Sequence, residues 1–215
     1  MILCGSSISP FVRKVIVFAA EQGAPVELKT LGLGSDDPDF LRASPFRKMP
    51  ALIDGDFTLA DSSAIVHYLD ALRPESGLIP TDPRERGRTI WFDEWADTLF
   101  GGVMVKLFFN RIVAPMFLGR EGDAAAVDTA ERDELPPMLD YLETQVSGAP
   151  YLVGDQLTLA DIAVGSPIVN LGHLGIELSR WPAVKAYSEA ILARPSFASI
   201  IEREKTFFAR QREDA

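Results

Sequence analysis

Residues 49–62 read Met49-Pro50-Ala51-Leu52-Ile53-Asp54-Gly55-Asp56-Phe57-Thr58-Leu59-Ala60-Asp61-Ser62. Two short apolar runs flank Asp54-Gly55-Asp56. An Asp-Gly pair between such runs is a hairpin signal, because the glycine gives a tight turn its backbone freedom. Asp61 and Ser62 then supply N-cap chemistry, and Ile65, Val66, Leu69 and Leu72 follow at helical spacing. Strand, turn, strand and capped helix succeed one another without a linker.

Toward the N-terminus, Met1 to Cys4 is an apolar run ending at Gly5, which suits a buried strand. A small polar loop, Ser6-Ser7-Ile8-Ser9, leads to Pro10, and proline is favoured in a first helical turn because its missing N–H would be orphaned there anyway. Val12, Val15, Ile16 and Ala19 recur at helical spacing up to the stop at Gly23. Pro25 to Leu31 reads as a second strand, and a short helix is expected over Asp39 to Ala43. The front of the chain is therefore βαβ, a helical connection, then ββα.

Toward the C-terminus, Pro74, Gly77, Pro80 and Pro83 mark a linker, and no strand pattern follows it. Helical patterns run roughly over residues 84–118, 124–147, 158–172, 181–192 and 196–211, with Thr158 and Asp161 forming a capping box. The expected division is an α/β domain over 1–76 and an all-helical domain over 84–215.

Composition bounds the function. The chain has 215 residues, and its net charge of −10 argues against nucleic acid or an anionic membrane as a partner. One cysteine, Cys4, excludes an internal disulfide, and two histidines are too few for a Cys/His zinc site, so no metal is expected. Neither a signal peptide nor a membrane span is apparent, so a cytoplasmic protein is expected.

Four pieces, in this order and spacing, resemble the cytosolic glutathione S-transferase superfamily: Ser9-Pro10-Phe11; Arg47-Lys48-Met49-Pro50-Ala51-Leu52; Asp61-Ser62-Ser63-Ala64-Ile65 leading to Tyr68-Leu69; and Thr158-Leu159-Ala160-Asp161. The resemblance spans the chain. It implies a thioredoxin-like front domain that binds glutathione, an all-α rear domain that walls a second-substrate pocket, and a homodimer. The Ser9-Pro10-Phe11 pattern resembles the serine-type members of the tau-like and bacterial kind. One departure stands out, because Arg47 occupies a position where the family often has glycine, and glycine alone takes positive φ cheaply.

The resemblance implies a role for each matching residue. Ser9, at a helix N-terminus with its partial positive charge, would hydrogen-bond the glutathione sulfur and favour the thiolate, with Ser7 as the alternative. Read from the loop alone, Ser9 is simply an ordinary N-cap. Met49, ahead of a cis Pro50, would pair with the peptide backbone of glutathione, and a trans proline opening an edge strand is the other reading. Asp61 and Ser62 would hold the γ-glutamyl end, Lys48 the glycyl carboxylate, and Phe11 would complete the glutathione site. Ile8, Phe108, Arg111 and Phe117 would line the second-substrate pocket, with Phe207 and Phe208 closing it. Arg13 fits either a charge near the thiolate or a surface position.

The implied reaction is conjugation of glutathione, the co-substrate, to a small apolar electrophile. Two alternatives share the fold: a non-catalytic glutathione or ligand carrier, and a glutathione-dependent thiol reductase. The last would want cysteine where Ser9 stands. Cys4, at the end of an apolar strand, reads instead as a small buried hydrophobe.

Overall fold

The computed structural model describes residues 1–213. Its front part is a four-stranded sheet with helices: β1 (Ile2–Gly5), α1 (Pro10–Glu21), β2 (Glu27–Thr30), α2 (Pro38–Ala43), β3 (Ala51–Asp54), β4 (Phe57–Ala60) and α3 (Ser62–Leu72). The strand order is β2-β1-β3-β4. β1 and β2 run parallel, joined by α1, and the other pairs are antiparallel. β3 is thus an interior strand, and the Met49–Pro50 bond ahead of it is cis, so Pro50 does not open an edge strand as a trans residue.

Side chains alternate across β1 as the pleat requires. Leu3 joins Val12, Val15, Phe18, Leu52 and Ile65 in the main core, while Cys4 turns to a smaller cluster with Phe40, Ala43, Ala51 and Ile53.

The rear part is helical: α4 (Pro83–Leu118), α5 (residues 124–146), α6 (Leu159–His173), α7 (Pro182–Leu192) and α8 (Pro195–Glu213). α4 and α5 are continuous but contain wider π turns, at Trp95–Phe100 and Phe109–Val113 in α4 and at Ala130–Glu134 in α5. Helical periodicity predicts the lengths but not these turns. Gly101 follows the first of them, where an added Cβ would lie 2.6 Å from the Ala96 carbonyl oxygen. Only glycine fits that approach.

α6 is the central post, buried throughout Leu159–Leu171 and packed against both α1 and α4. The capping box read from the sequence anchors its start, with Asp161 reaching back to the Thr158 N–H at 2.9 Å. α4 has the length and apolarity of a membrane span, yet Asp93 within it is fully buried in an ion pair with α1.

Three charged residues of α1 join the front part to the rear. Arg13 pairs with Glu204 of α8, Lys14 with Asp93 and Asp97 of α4, and Glu21 with Arg194. For Glu21, burial alone would raise the carboxyl pKa, but hydrogen bonds from Arg194 and Ser196 bring it below the ordinary range.

Candidate functional site

The loop between β1 and α1 converges with the Met49–Pro50 turn. Gly5 ends β1, and a Cβ on it would lie 2.6 Å from Val12 Cγ2 and 3.5 Å from Met49 Cβ. Its φ of 153° adds a second reason for glycine. The start of α1 and the cis-proline turn thus meet at the end of β1.

Ser9 sits at the N-cap position of α1, half-buried, and its side chain makes no capping hydrogen bond. The ordinary-cap reading therefore does not describe this hydroxyl. Its backbone is fully committed: the N–H donates to the Ser6 carbonyl at 3.0 Å and the C=O accepts from the Arg13 N–H at 2.9 Å. Pro10 occupies the first helical turn. The result is a fixed main chain carrying a hydroxyl that the helix does not use. Ser7 is also half-buried, in the turn just before.

Asp61 and Ser62 open α3. One oxygen of Asp61 accepts from the N–H groups of Ser63 at 2.9 Å and Ala64 at 3.0 Å. Asp61 does so at φ 82°, a left-handed conformation that a β-carbon disfavours and that is over-represented at ligand sites. Ser62 is buried and donates to Asp97 at 3.1 Å. Behind it lies a charged cluster that sequence reading missed. Lys14 Nζ is 2.6 Å from both Asp93 and Asp97, and the Ser63 hydroxyl donates to Asp93 at 2.8 Å. Burial raises the Asp97 carboxyl above the ordinary range, with Lys14 opposing. The available signal was the four-residue spacing of Asp93 and Asp97 along one helix face.

Around the turn ahead of β3, buried Ser44 clamps the main chain of Lys48, accepting from its N–H at 2.9 Å and donating to its C=O at 2.7 Å. Lys48 and Arg47 are exposed. Arg47 holds φ 57°, so this chain takes a left-handed conformation here without glycine. Arg47→Gly is expected to raise stability by about 0.5–1 kcal/mol, the left-handed cost of roughly 1–2 kcal/mol less the backbone entropy glycine loses. Thermal denaturation should show a gain of about 2 °C. A lower melting temperature would mean that the exposed Arg47–Asp36 ion pair outweighs the backbone term.

The remaining predicted residues separate. Phe11 is half-buried and directed at α4, its ring tip 3.8 Å from the position a Gly101 Cβ would take. Phe108 is buried edge-on to Phe208, with centroids 6.5 Å apart, while Phe117 is partly exposed and stacked on Phe207 at 6.0 Å. The aromatic groups from α4 and α8 thus form one cluster. Arg111 pairs with Glu131. Ile8 is half-buried. Arg13 takes no surface position: it is fully buried, because its partners lie on α6 and α8, far along the sequence. Cys4 is also fully buried, and burial pushes its thiol pKa up, against the thiolate form a reductase needs.

Two family matches cover most of the chain: the glutathione S-transferase N-terminal domain over residues 3–77 and the C-terminal domain over residues 104–195. A glutathione S-transferase of Hyoscyamus muticus is 34% identical, over 94% of this chain and 98% of its own length. Glutathione S-transferase 3 of Zea mays is 33% identical, over 93% and 92%. Among solved structures, a glutathione S-transferase-I bound with lactoylglutathione superposes with a TM-score of 0.82 at 26% identity, covering 94% of this chain and 98% of that one.

Proposed function

The chain belongs to the glutathione S-transferase superfamily, and from that premise we propose that it binds glutathione at the start of α1 and conjugates its thiolate to a small apolar electrophile. The observation that carries this reading is the Ser9 hydroxyl, held at a helix N-terminus and unused by the helix. A hydroxyl donor and the helix's partial positive charge both stabilise a sulfur anion more than a neutral thiol. Glutathione is the nucleophile, and the protein supplies position and electrostatics.

The thioredoxin-like unit, residues 1–76, would hold glutathione. Met49 would face its peptide backbone, Asp61 and Ser62 its γ-glutamyl end, Lys48 its glycyl carboxylate, and Phe11 would support the pocket from the α4 side. The helical unit, residues 84–215, would wall the electrophile, with Ile8, Phe108, Arg111 and Phe117 nearest it. No metal enters the proposed reaction. A cytoplasmic homodimer accompanies this reading. Exposed Phe46, at 87%, and Phe57 on the front part, with Trp91, Leu99 and Val105 on α4, are apolar side chains available to a second copy.

The test is direct. The purified protein should sediment as a dimer and show new ultraviolet thiolate absorbance when glutathione is added near neutral pH. It should also consume glutathione with members of a panel of apolar electrophiles. Glutathione binding with neither thiolate absorbance nor turnover would instead identify a carrier.

A further inference from the structure

The Ile8 carbonyl belongs to the peptide plane that ends at the Ser9 nitrogen. Two buried side chains hold it: Asn170 Nδ2 donates at 3.2 Å and Arg13 Nη2 at 3.4 Å. The other end of the same plane, the Ser9 N–H, is bonded to Ser6. A peptide plane fixed at both ends fixes the Ser9 N–Cα bond, and the Ser9 carbonyl, held by the Arg13 N–H at 2.9 Å, fixes the rotation about it, so together they set the direction of Cα–Cβ. We propose that Asn170 and Arg13 are positioning residues for the reaction: they aim the Ser9 hydroxyl by clamping the Ile8–Ser9 peptide to α6 and α8.

The clamp has a defined anatomy. Arg13 Nη1 donates to the Ser166 carbonyl at 2.6 Å and to Asn170 Oδ1 at 2.7 Å, which leaves the amide nitrogen of Asn170 to face Ile8. Arg13 Nη2 donates to Glu204 at 2.8 Å, and His173 meets the same carboxylate oxygen at 2.8 Å. Burial alone would raise the Glu204 carboxyl, but the hydrogen bond from His173 and the charge of Arg13 hold it below the ordinary range. Arg13, Asn170 and Glu204 are each at most 2% exposed.

Stability alone does not account for this arrangement. A buried ion pair contributes little net stability compared with apolar residues of the same shape, and apart from Lys14 the other buried residues of α1 (Val12, Val15, Val17, Phe18, Ala19) are apolar. Nor is the network fully satisfied, since among the described residues Arg13 Nε and Glu204 Oε1 have no hydrogen-bond partner. What it completes is the grip on Ile8. Glu204 also lies on the helix that carries Phe207 and Phe208, so one network sets both the loop and the aromatic cluster in register.

This inference rests on the reading that Ser9 faces the glutathione sulfur, and a double-mutant cycle separates the two. Asn170→Ala is expected to raise the bound-thiol pKa by about one and lower kcat about tenfold, with KM within about threefold of the parent. Placed on Ser9→Ala, the same change should have little further effect on either quantity, because its action runs through the hydroxyl. Multiplying losses in the double variant, or an unmoved thiol pKa in Asn170→Ala beside a shifted one in Ser9→Ala, would overturn the positioning role. An unshifted pKa in Ser9→Ala itself would overturn the Ser9 reading instead. If Asn170→Ala does not fold, Asn170→Asp makes the same test: it keeps size and the bond from Arg13 but turns an oxygen toward the Ile8 carbonyl.

Discussion

Ser9→Ala is expected to raise the pKa of protein-bound glutathione by roughly two and to cut kcat about a hundredfold, with the affinity for glutathione nearly unchanged. The magnitude follows from what is removed. A free thiol titrates at about 8.5, and a tenfold change in its ionisation constant corresponds to roughly 1.4 kcal/mol of differential stabilisation. The Ser9 hydroxyl makes no capping bond in α1, so its deletion leaves the helix start intact and takes away only the donor proposed for the sulfur. One charge-assisted hydrogen bond is worth about 1.5–3 kcal/mol, which accounts for a hundredfold change in that constant. The sign of the pH effect is fixed as well. The thiolate forms as pH rises through the bound pKa, so the rising limb of kcat/KM for the electrophile at saturating glutathione should move to higher pH in the variant. Spectrophotometric titration of bound glutathione checks it. A variant that titrates like the parent while Ser7→Ala does not would transfer the role to Ser7.

Asp161→Ala is expected to cost about 4 kcal/mol of stability, near half of what a domain of ordinary stability has. Asp161 is fully buried, and its two oxygens serve four donors. Oδ1 accepts from the Leu152 N–H and the Tyr187 hydroxyl, both at 2.9 Å, and Oδ2 from the Thr158 N–H at 2.9 Å and the Thr158 hydroxyl at 3.3 Å. Burial raises the Asp161 carboxyl pKa, and these four bonds pull against that rise. Truncation loses a helix cap worth about 1 kcal/mol and strands several buried donors at about 1–3 kcal/mol each, less whatever water recovers. Denaturant titration should show the midpoint falling with the slope unchanged. A loss below about 1 kcal/mol would mean that water replaces the carboxylate.

The parts legible in the sequence were those encoded by neighbours. Asp54-Gly55-Asp56 announced the hairpin, Asp61-Ser62 the cap of α3, and Thr158 with Asp161 the start of α6, because each signal lies within a few residues of the structure it makes. The cis bond before Pro50 was suggested by resemblance and not by local chemistry. The fate of Arg13 was illegible. Helical periodicity locates its face, but whether that face meets water depends on Ser166, Asn170 and Glu204, more than 150 residues away. The same applies to Lys14, whose carboxylate partners sit beyond the linker. The π turns of α4 escaped for another reason: they widen the helix without changing which residues look apolar.

The charges of α1 bear on how such chains can be recombined. The four ion pairs of Arg13, Lys14 and Glu21 all reach residues of the rear part, and both cations are sealed from water there. A cut at the linker would leave the front half with two buried-type cations and an apolar face open to solvent, and the rear half with carboxylates that have lost their counterions. A chimera grafting this front half onto a relative's helices therefore inherits an obligation at positions 93, 97, 194 and 204, and compatibility between halves is decided there before either substrate pocket matters.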